Sequence, residues 1–377
     1  MKIGVIIPRS QLFPLVGLQF SNGVDYAIKQ SNNKQIQYII EDGGNAADSD
    51  EILGKANKLL LQDRVDAVIA YTGPKTHDSL CKLFDKYKKI LILADWGASI
   101  TYDLPKSDYV YHHTMNEWAT AYALGKHLAE QGSKRVLFCL SFMEVGYHLA
   151  YSFVKGFEEN GGTIAGYHMA RMKTDDAFFD EMARKIDEWQ ADTLYCGFSG
   201  DDADEFWQKA APIITSKNLC VAGPALLTLP EILNKHKNTI SGINTASAWY
   251  PDIDTEANNS FCEKFKKATG NDADRFAVLG YECGLVLANA ASYTEDGFPD
   301  IMQTLQNIKQ SEINSPRGTL KYNTEGNYLA GNSYLAKIDE NGAEIITDTI
   351  DADMEEWRTS NFAGHPNEGW MNPYPCT

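Results

Sequence analysis

Residues 2–17, KIGVIIPRSQLFPLVG, open with an apolar run and continue into a bulky turn. Lys2 to Ile7 predicts a buried strand. A dinucleotide-binding fold would follow it with G-x-G-x-x-G, because pyrophosphate needs backbone amides that no side chain obstructs. Here the turn carries Pro8, Arg9, Gln11, Phe13 and Pro14, and a helical pattern follows. The unit is strand, loop and helix, with a loop too bulky for phosphate.

The same alternation continues outward. IQYII (36–40), DAVIAY (66–71), ILILA (90–94), RVLFCL (135–140), DTLYCGF (192–198) and NLCVAG (218–223) are short and apolar, as parallel strands covered on both faces should be. Between them lie amphipathic stretches. In SDEILGKANKLLLQD (49–63), Ile52, Leu53, Ala56, Leu59 and Leu60 share a face, and Leu80, Leu83, Phe84 and Tyr87 do the same further on. Strand–helix alternation predicts βαβ units and a parallel sheet between helical layers. The pattern runs twice, over 2–113 and 135–247, with the helical stretch 115–132 between the sets. Helical segments near 255–268, 276–292 and 298–308 follow, then β-rich GTLKYN, SYLAKI and AEIITDT. The expected fold class is α/β, with two doubly wound parallel-sheet lobes. Ligands of open α/β sheets bind beyond the carboxyl ends of the strands, so two facing lobes share one cleft.

Bulk properties narrow the function. The 377 residues suffice for two domains, and 44 % hydrophobic with 23 % charged residues describe an ordinary globular chain. Against 34 Lys+Arg stand 51 Asp+Glu, a net charge of −17, which argues against nucleic acid and anionic membrane as partners. Cys81, Cys139, Cys196, Cys220, Cys262, Cys283 and Cys376 form no C-x-x-C pair, and most sit in apolar stretches as buried thiols do. No apolar run approaches the roughly 20 residues that span a bilayer. Met1 abuts the first strand. The expectation is either an extracytoplasmic protein whose export signal is not in this chain, or a cytoplasmic one.

In order and spacing, the pieces resemble the type I periplasmic binding proteins, specifically the branched-chain amino-acid (Leu/Ile/Val) group of ABC-transporter substrate-binding proteins. KIGVIIPRS with GLQFSNGVDYAI, DAVIAYTGP, ILILADWGAS, RVLFCLSFMEVGYHLAYSFVKGFEENGG, ADTLYCGFSG, LCVAGPALL, SGINTASAWYPD, NSFCEKFKKATG, GYECGLVLANA and SPRGTLKYN…NSYLAKI carry the resemblance to about residue 340. It implies two lobes joined by three crossovers, near 114–118, 246–251 and 323–328, which close on a ligand. It divides the chain into 1–116 plus 250–325 and 117–249 plus 326–377. It also implies a small-molecule ligand and a membrane permease as partners, with no cofactor and no metal.

Site residues follow from the resemblance position by position. Phe13, with Leu15 and Val16, falls on the cleft wall. In Tyr71-Thr72-Gly73-Pro74-Lys75-Thr76, hydroxyls and amides at a helix N-terminus would hold a ligand carboxylate, with Thr76 as a plain N-cap the alternative. Trp96, Gly97, Ala98 and Ser99 end the fourth strand. Glu144 and Tyr147, then Phe198 and Ser199, come from the second lobe, and Trp118 and Trp249 from the crossovers. Each aromatic alone is more often core filler. Amino-acid binders of the group carry an acid after G-P to pair with the ligand's ammonium, where this chain has Ala225. A desolvated ammonium without a counter-charge is costly, so an aromatic or aliphatic acid without an amine is expected. Asp201, Asp202 and Glu144 are the acids open as replacements.

Enzyme signatures fall short. GFSGD (197–201) ends in Asp201 where G-x-S-x-G needs glycine. His112-His113 lacks metal-ligand spacing, and 252–263 has Ala257 where a calcium loop turns on glycine. A sensor domain with the same clam fold is the second class compatible with the sequence, and an enzyme on a two-lobed fold the third. The tail 361–377, with Trp370, Pro373 and Pro375, is expected to strap a lobe.

Overall fold

The computed structural model describes residues 1–11, 13–31, 33, 35–44, 48–99, 106–142, 148–170, 174–237, 239–323, 327–350 and 354–362. The first lobe is built on five parallel strands, β1 (Lys2–Ile7), β2 (Gln37–Asp42), β3 (Ala67–Tyr71), β4 (Ile90–Asp95) and β5 (Val110–Thr114), in the order β2-β1-β3-β4-β5. Every residue of β3 and β4 is buried, while edge strand β2 is half open. That is the burial their apolar runs demand. Helices α1 (Val16–Gln30), α2 (Ser49–Asn57) and α3 (His77–Tyr87) connect the strands.

The second lobe follows α4 (Glu117–Glu130). It comprises β6 (Arg135–Leu140), α5 (Leu149–Glu159), β7 (Thr163–Met169), α6 (Asp176–Glu188), β8 (Thr193–Gly197), α7 (Gly200–Lys217), β9 (Cys220–Pro224), α8 (Pro230–His236) and β10 (Asn244–Ser247). The chain then returns through α9 (Glu256–Thr269), α10 (Arg275–Ala290) and α11 (Ile301–Gln310) to a small antiparallel sheet, β11 (Ile313–Ser315), β12 (Gly318–Tyr322) and β13 (Leu329–Ala330). Finally β14 (Ser333–Ile338) and β15 (Glu344–Ile350) join the second sheet antiparallel, giving β15-β14-β10-β9-β8-β6-β7, and α12 (Glu355–Phe362) follows.

Repetition shows in the packing as well as the order. Helices α1 and α10 cross so closely that a Cβ on Gly280 would lie 2.0 Å from the Phe20 carbonyl oxygen. In the second lobe α4 and α5 cross likewise, with a Cβ on Gly156 falling 2.0 Å from the Tyr122 carbonyl. The third crossing lies just beyond the expected 323–328. The amide of His112 donates to the Asn327 carbonyl at 2.9 Å, and Tyr322 pairs Leu329, so the chain stays with the first lobe through β13. Buried polar groups hold the crossings. The Glu117 carboxyl accepts from the Ser247 hydroxyl at 3.0 Å and the Ala248 amide at 3.2 Å, tying the first crossing to the second.

Cys81, Cys139, Cys196, Cys220, Cys262 and Cys283 are free thiols, buried or half-buried, and Cys376 lies outside the described residues, as does the tail from 363. Among the described residues no helix is long and apolar enough to cross a membrane.

Candidate ligand cleft

The turn after β4 stands where the lobes meet. The amide of His148, at the start of α5, donates to the Ala98 carbonyl of the first lobe at 3.0 Å. Gly97 has φ +72°, and a Cβ there would lie 2.4 Å from the Asn116 nitrogen. The close approach expected of Gly97 is therefore to the first crossing, whose Trp118 amide donates to the Gly97 carbonyl at 2.8 Å. Trp96 is buried with its ring 5.0 Å from Phe276, which lies 6.1 Å from Phe13. Tyr71 is buried 5.1 Å from Phe20. All three rings are buried against other rings, where a bulky side chain at an apolar strand end gains from leaving water. Val16 is buried in α1 and Leu15 is exposed.

Polar groups, not rings, mark the first lobe's strand ends. The Thr72 hydroxyl, the Ser99 hydroxyl, Asp95 Oδ1 and His77 Nδ1 are all buried without a hydrogen-bond partner among the described residues. Asp95 ends β4 and His77 starts α3, while Thr72 directly follows β3 and Ser99 lies in the turn after β4. His77 Nε2 lies 3.3 Å from the Thr72 carbonyl, an acceptor only, and 4.0 Å from Asp95 Oδ2. Nε2 therefore carries the proton and Nδ1 is a bare acceptor. Burial pushes the His77 pKa down, against Asp95 and the Thr72 carbonyl. Burial raises that of Asp95, opposed by His77, the Thr114 hydroxyl and the Gly97 amide. Lys75 is exposed. Thr76 makes no capping bond, and its hydroxyl turns to Ser49, 3.5 Å away. The N-cap alternative for Thr76 is thus not realised, because Pro74–Thr76 forms a 3₁₀ turn that carries the chain straight into α3.

In the second lobe Phe198 is buried and stacks on Phe206 at 4.2 Å. Ser199 is the extended N-cap residue of α7, whose first turn holds Asp201 and Asp202. Burial raises the Asp202 carboxyl, which the Ser141 hydroxyl opposes. Thr174 adds a buried hydroxyl without a partner among the described residues. Ala225 opens a 3₁₀ turn, and the Thr228 hydroxyl lies 3.3 Å from its carbonyl and 3.1 Å from Glu344 Oε1. Glu344, arriving from β15, is thus an acid beside that turn, and Arg275 Nη2 stands 3.4 Å from it.

The crossover tryptophans are structural. Trp249 Nε1 donates to Asn258 Oδ1 at 2.8 Å and fixes α9. Trp118 stacks on Trp357 of α12 at 5.8 Å. Both side chains are buried at the crossings. Glu144 and Tyr147 lie outside the described residues.

The family profile described as periplasmic binding protein matches residues 1–343. The chain belongs to that family. The Leu/Ile/Val-binding protein homolog 6 of Brucella suis biovar 1 (strain 1330) is 22 % identical over 345 residues, covering 90 % of this chain and 87 % of the relative. Among solved structures, an ABC transporter substrate-binding protein from Sphaerobacter thermophilus superposes with TM-score 0.81 at 20 % identity, over 93 % of this chain and 98 % of the other. A solute-binding protein of an ABC transporter from R. palustris, in complex with benzoate, gives 0.74 at 20 % identity, over 92 % and 95 %. The two-lobed fold expected from the sequence is the fold found.

In this periplasmic binding protein the motifs weighed for catalysis have structural duties. His113 is locked between Glu282 (Nε2, 2.8 Å) and the Tyr322 hydroxyl (Nδ1, 2.7 Å). His112 stacks on Tyr328. The acidic stretch from 252 leads into α9, capped by the Thr255 side chain on the Asn258 amide. Sequence reasoning passed over His77 and Asp95 as site residues. The available signal was a carboxylate ending the otherwise apolar ILILAD.

Proposed function

We propose that this protein is the substrate-binding component of an ABC importer, working outside the cytoplasm. It closes its lobes on one small organic solute, presents it to a membrane permease and performs no chemistry on it. The hinge is the set of three crossings, with 1–116 plus 250–330 on one side. The solute class we infer is an aromatic or aliphatic acid that also carries a hydroxyl.

The observation that carries this reading is the set of polar atoms at the strand ends that have no partner among the described residues. Thr72 and Ser99 offer hydroxyls, and Asp95 Oδ1 and His77 Nδ1 offer bare acceptors. Buried polar atoms without partners are rare in folded proteins, and a bound polar molecule is a common remedy. The bare acceptors call for a donor, which a hydroxyl supplies. Ala225 offers no charge to an ammonium and Glu344 is engaged by Arg275, so an α-amino group finds no free acid at the Ala225 turn. The benzoate bound by the R. palustris relative is a compatible precedent for the acid.

A thermal-shift and tryptophan-fluorescence screen tests the reading, with benzoate, 4-hydroxybenzoate, hydroxylated aliphatic acids, leucine, isoleucine, valine and sugars. Hydroxy acids should stabilise the protein more than their deoxy counterparts, and the branched-chain amino acids should leave it unchanged. Stabilisation by leucine would overturn the solute class.

A further inference from the structure

Helix α12 lies beyond the 1–343 stretch that matches the family. It packs on the hinge. The Trp357 ring is stacked on Trp118 at 5.8 Å and 15°, directly on the first crossing. The same ring lies 4.9 Å from Tyr122 of α4, and its Nε1 donates to Glu159 Oε2 at 3.4 Å, at the end of α5. The Tyr122 hydroxyl donates to that same carboxylate oxygen at 2.7 Å. Trp357 therefore grips the second lobe.

Its neighbour grips the first. The Arg358 guanidinium lies over the Tyr328 ring at 4.8 Å. Tyr328 belongs to the stretch beside β5, where its ring stacks on His112. Its hydroxyl accepts from Trp118 Nε1 at 3.2 Å and bonds Asn116 Oδ1, while Asn116 Nδ2 donates to the Leu329 carbonyl at 2.7 Å. Two consecutive residues of one helix thus hold the two lobes, one on the first crossing and the other on the stretch that leads into the third.

We propose that α12 is a clamp across the hinge that favours the closed arrangement and so sets the affinity for solute. Rotation about the crossings changes the separation of Tyr328 from Tyr122 and Glu159. Trp357 and Arg358, fixed on one rigid turn, cannot follow both. Their contacts are complete only in one arrangement, and here it is the one in which His148 of the second lobe bonds Ala98 of the first. A contact made in one state and lost in the other shifts the population between them.

This inference rests on the closing of the two lobes proposed above, and its test needs no solute. Small-angle X-ray scattering of the full chain, without ligand, is compared for wild type, Trp357→Ala, Arg358→Gln and Ser360→Ala. Ser360 is exposed on the same helix and serves as control. The first two variants should show a larger radius of gyration than wild type and control. Affinity for whichever screened acid binds should fall by about 2- to 12-fold, the worth of one aromatic contact. Superimposable scattering curves would overturn the clamp. So would a lowered melting temperature with unchanged scattering, which would make α12 a plain structural cap. If Trp357→Ala does not fold, Arg358→Gln, which leaves the tryptophan stack in place, carries the same comparison. A failed solute screen with opened variants would sink the solute class and leave the clamp standing.

Discussion

The unpaired polar atoms at the first lobe's strand ends separate stability from function. A buried hydroxyl without a partner costs the fold its desolvation and returns nothing until a ligand arrives. Thr72→Val and Ser99→Ala should therefore leave the melting temperature of the free protein unchanged or raise it. Both should weaken solute binding by about 1–2 kcal/mol each, the loss of one hydrogen bond in a dry site. Calorimetric titration beside thermal denaturation checks this, and a fall in stability without a change in affinity would remove these residues from the site. A second pair of measurements belongs to Glu282. Burial alone would raise its carboxyl, but Arg317 and His113 outweigh burial and hold it at about 2. A depressed carboxyl contributes stability that is fully present above its unfolded pKa and is lost as pH falls through the folded value. Glu282→Gln should be less stable than wild type by about 3–5 kcal/mol near neutral pH, since Arg317 is left buried and uncompensated. The gap should narrow from about pH 4.5 towards pH 2 in denaturant titrations. None of this was legible in residue identities. Glu282 lies in an apolar helix and reaches His113 and Arg317 only through the fold, and Asp95 became interesting once His77 stood beside it.

At the scale of elements, most of the parallel strands were legible from continuous apolar runs, which have one cheap solution in an α/β protein. The missed ones were chemically mixed. Strand β5 reads VYHHT and is fully buried because its histidines find partners inside. Strand β7, an edge, is exposed or half-covered except at His168 and carries no continuous apolar signal. The site suffered from the same ambiguity. Rings at strand ends are expected on the cleft wall, and the same rings of Trp96 and Phe198 pack against Phe276 and Phe206, so a single residue type serves both duties. Glycine placement was the quieter signal. Gly280 and Gly156 each permit a helix crossing that no Cβ tolerates, and in both cases the obstacle is a backbone carbonyl that cannot rotate away. Gly280→Ala and Gly156→Ala should each destabilise by about 1–3 kcal/mol, the usual penalty of overpacking. Urea denaturation would show it as a lowered midpoint with unchanged slope. An unchanged midpoint would mean that the helices part freely, contrary to the close crossing.

For the whole molecule, charge matters as much as shape. The chain carries −17, Lys75 near the first lobe's strand ends is exposed, and the proposed solute is an anion. An anion approaching such a body meets a repulsive long-range field, whatever hydrogen bonds await it in the cleft. Salt screens that field, with a Debye length of about 30 Å at 0.01 M falling to about 10 Å at 0.1 M. Affinity for an acid solute should therefore rise when sodium chloride is increased across that range, by about two- to threefold if one unit charge meets a partly screened field. Affinity for an uncharged amide of the same acid should stay flat, since it feels no such field. Isothermal titrations of the acid and its amide at both salt concentrations decide the matter. If affinity for the acid falls as salt is added, local positive charge dominates at the site, and Lys75 becomes the first residue to neutralise. If acid and amide respond alike, the solute binds without its charge being felt. The polar atoms of Thr72, Ser99, Asp95 and His77 would then have to recognise the uncharged part of the molecule.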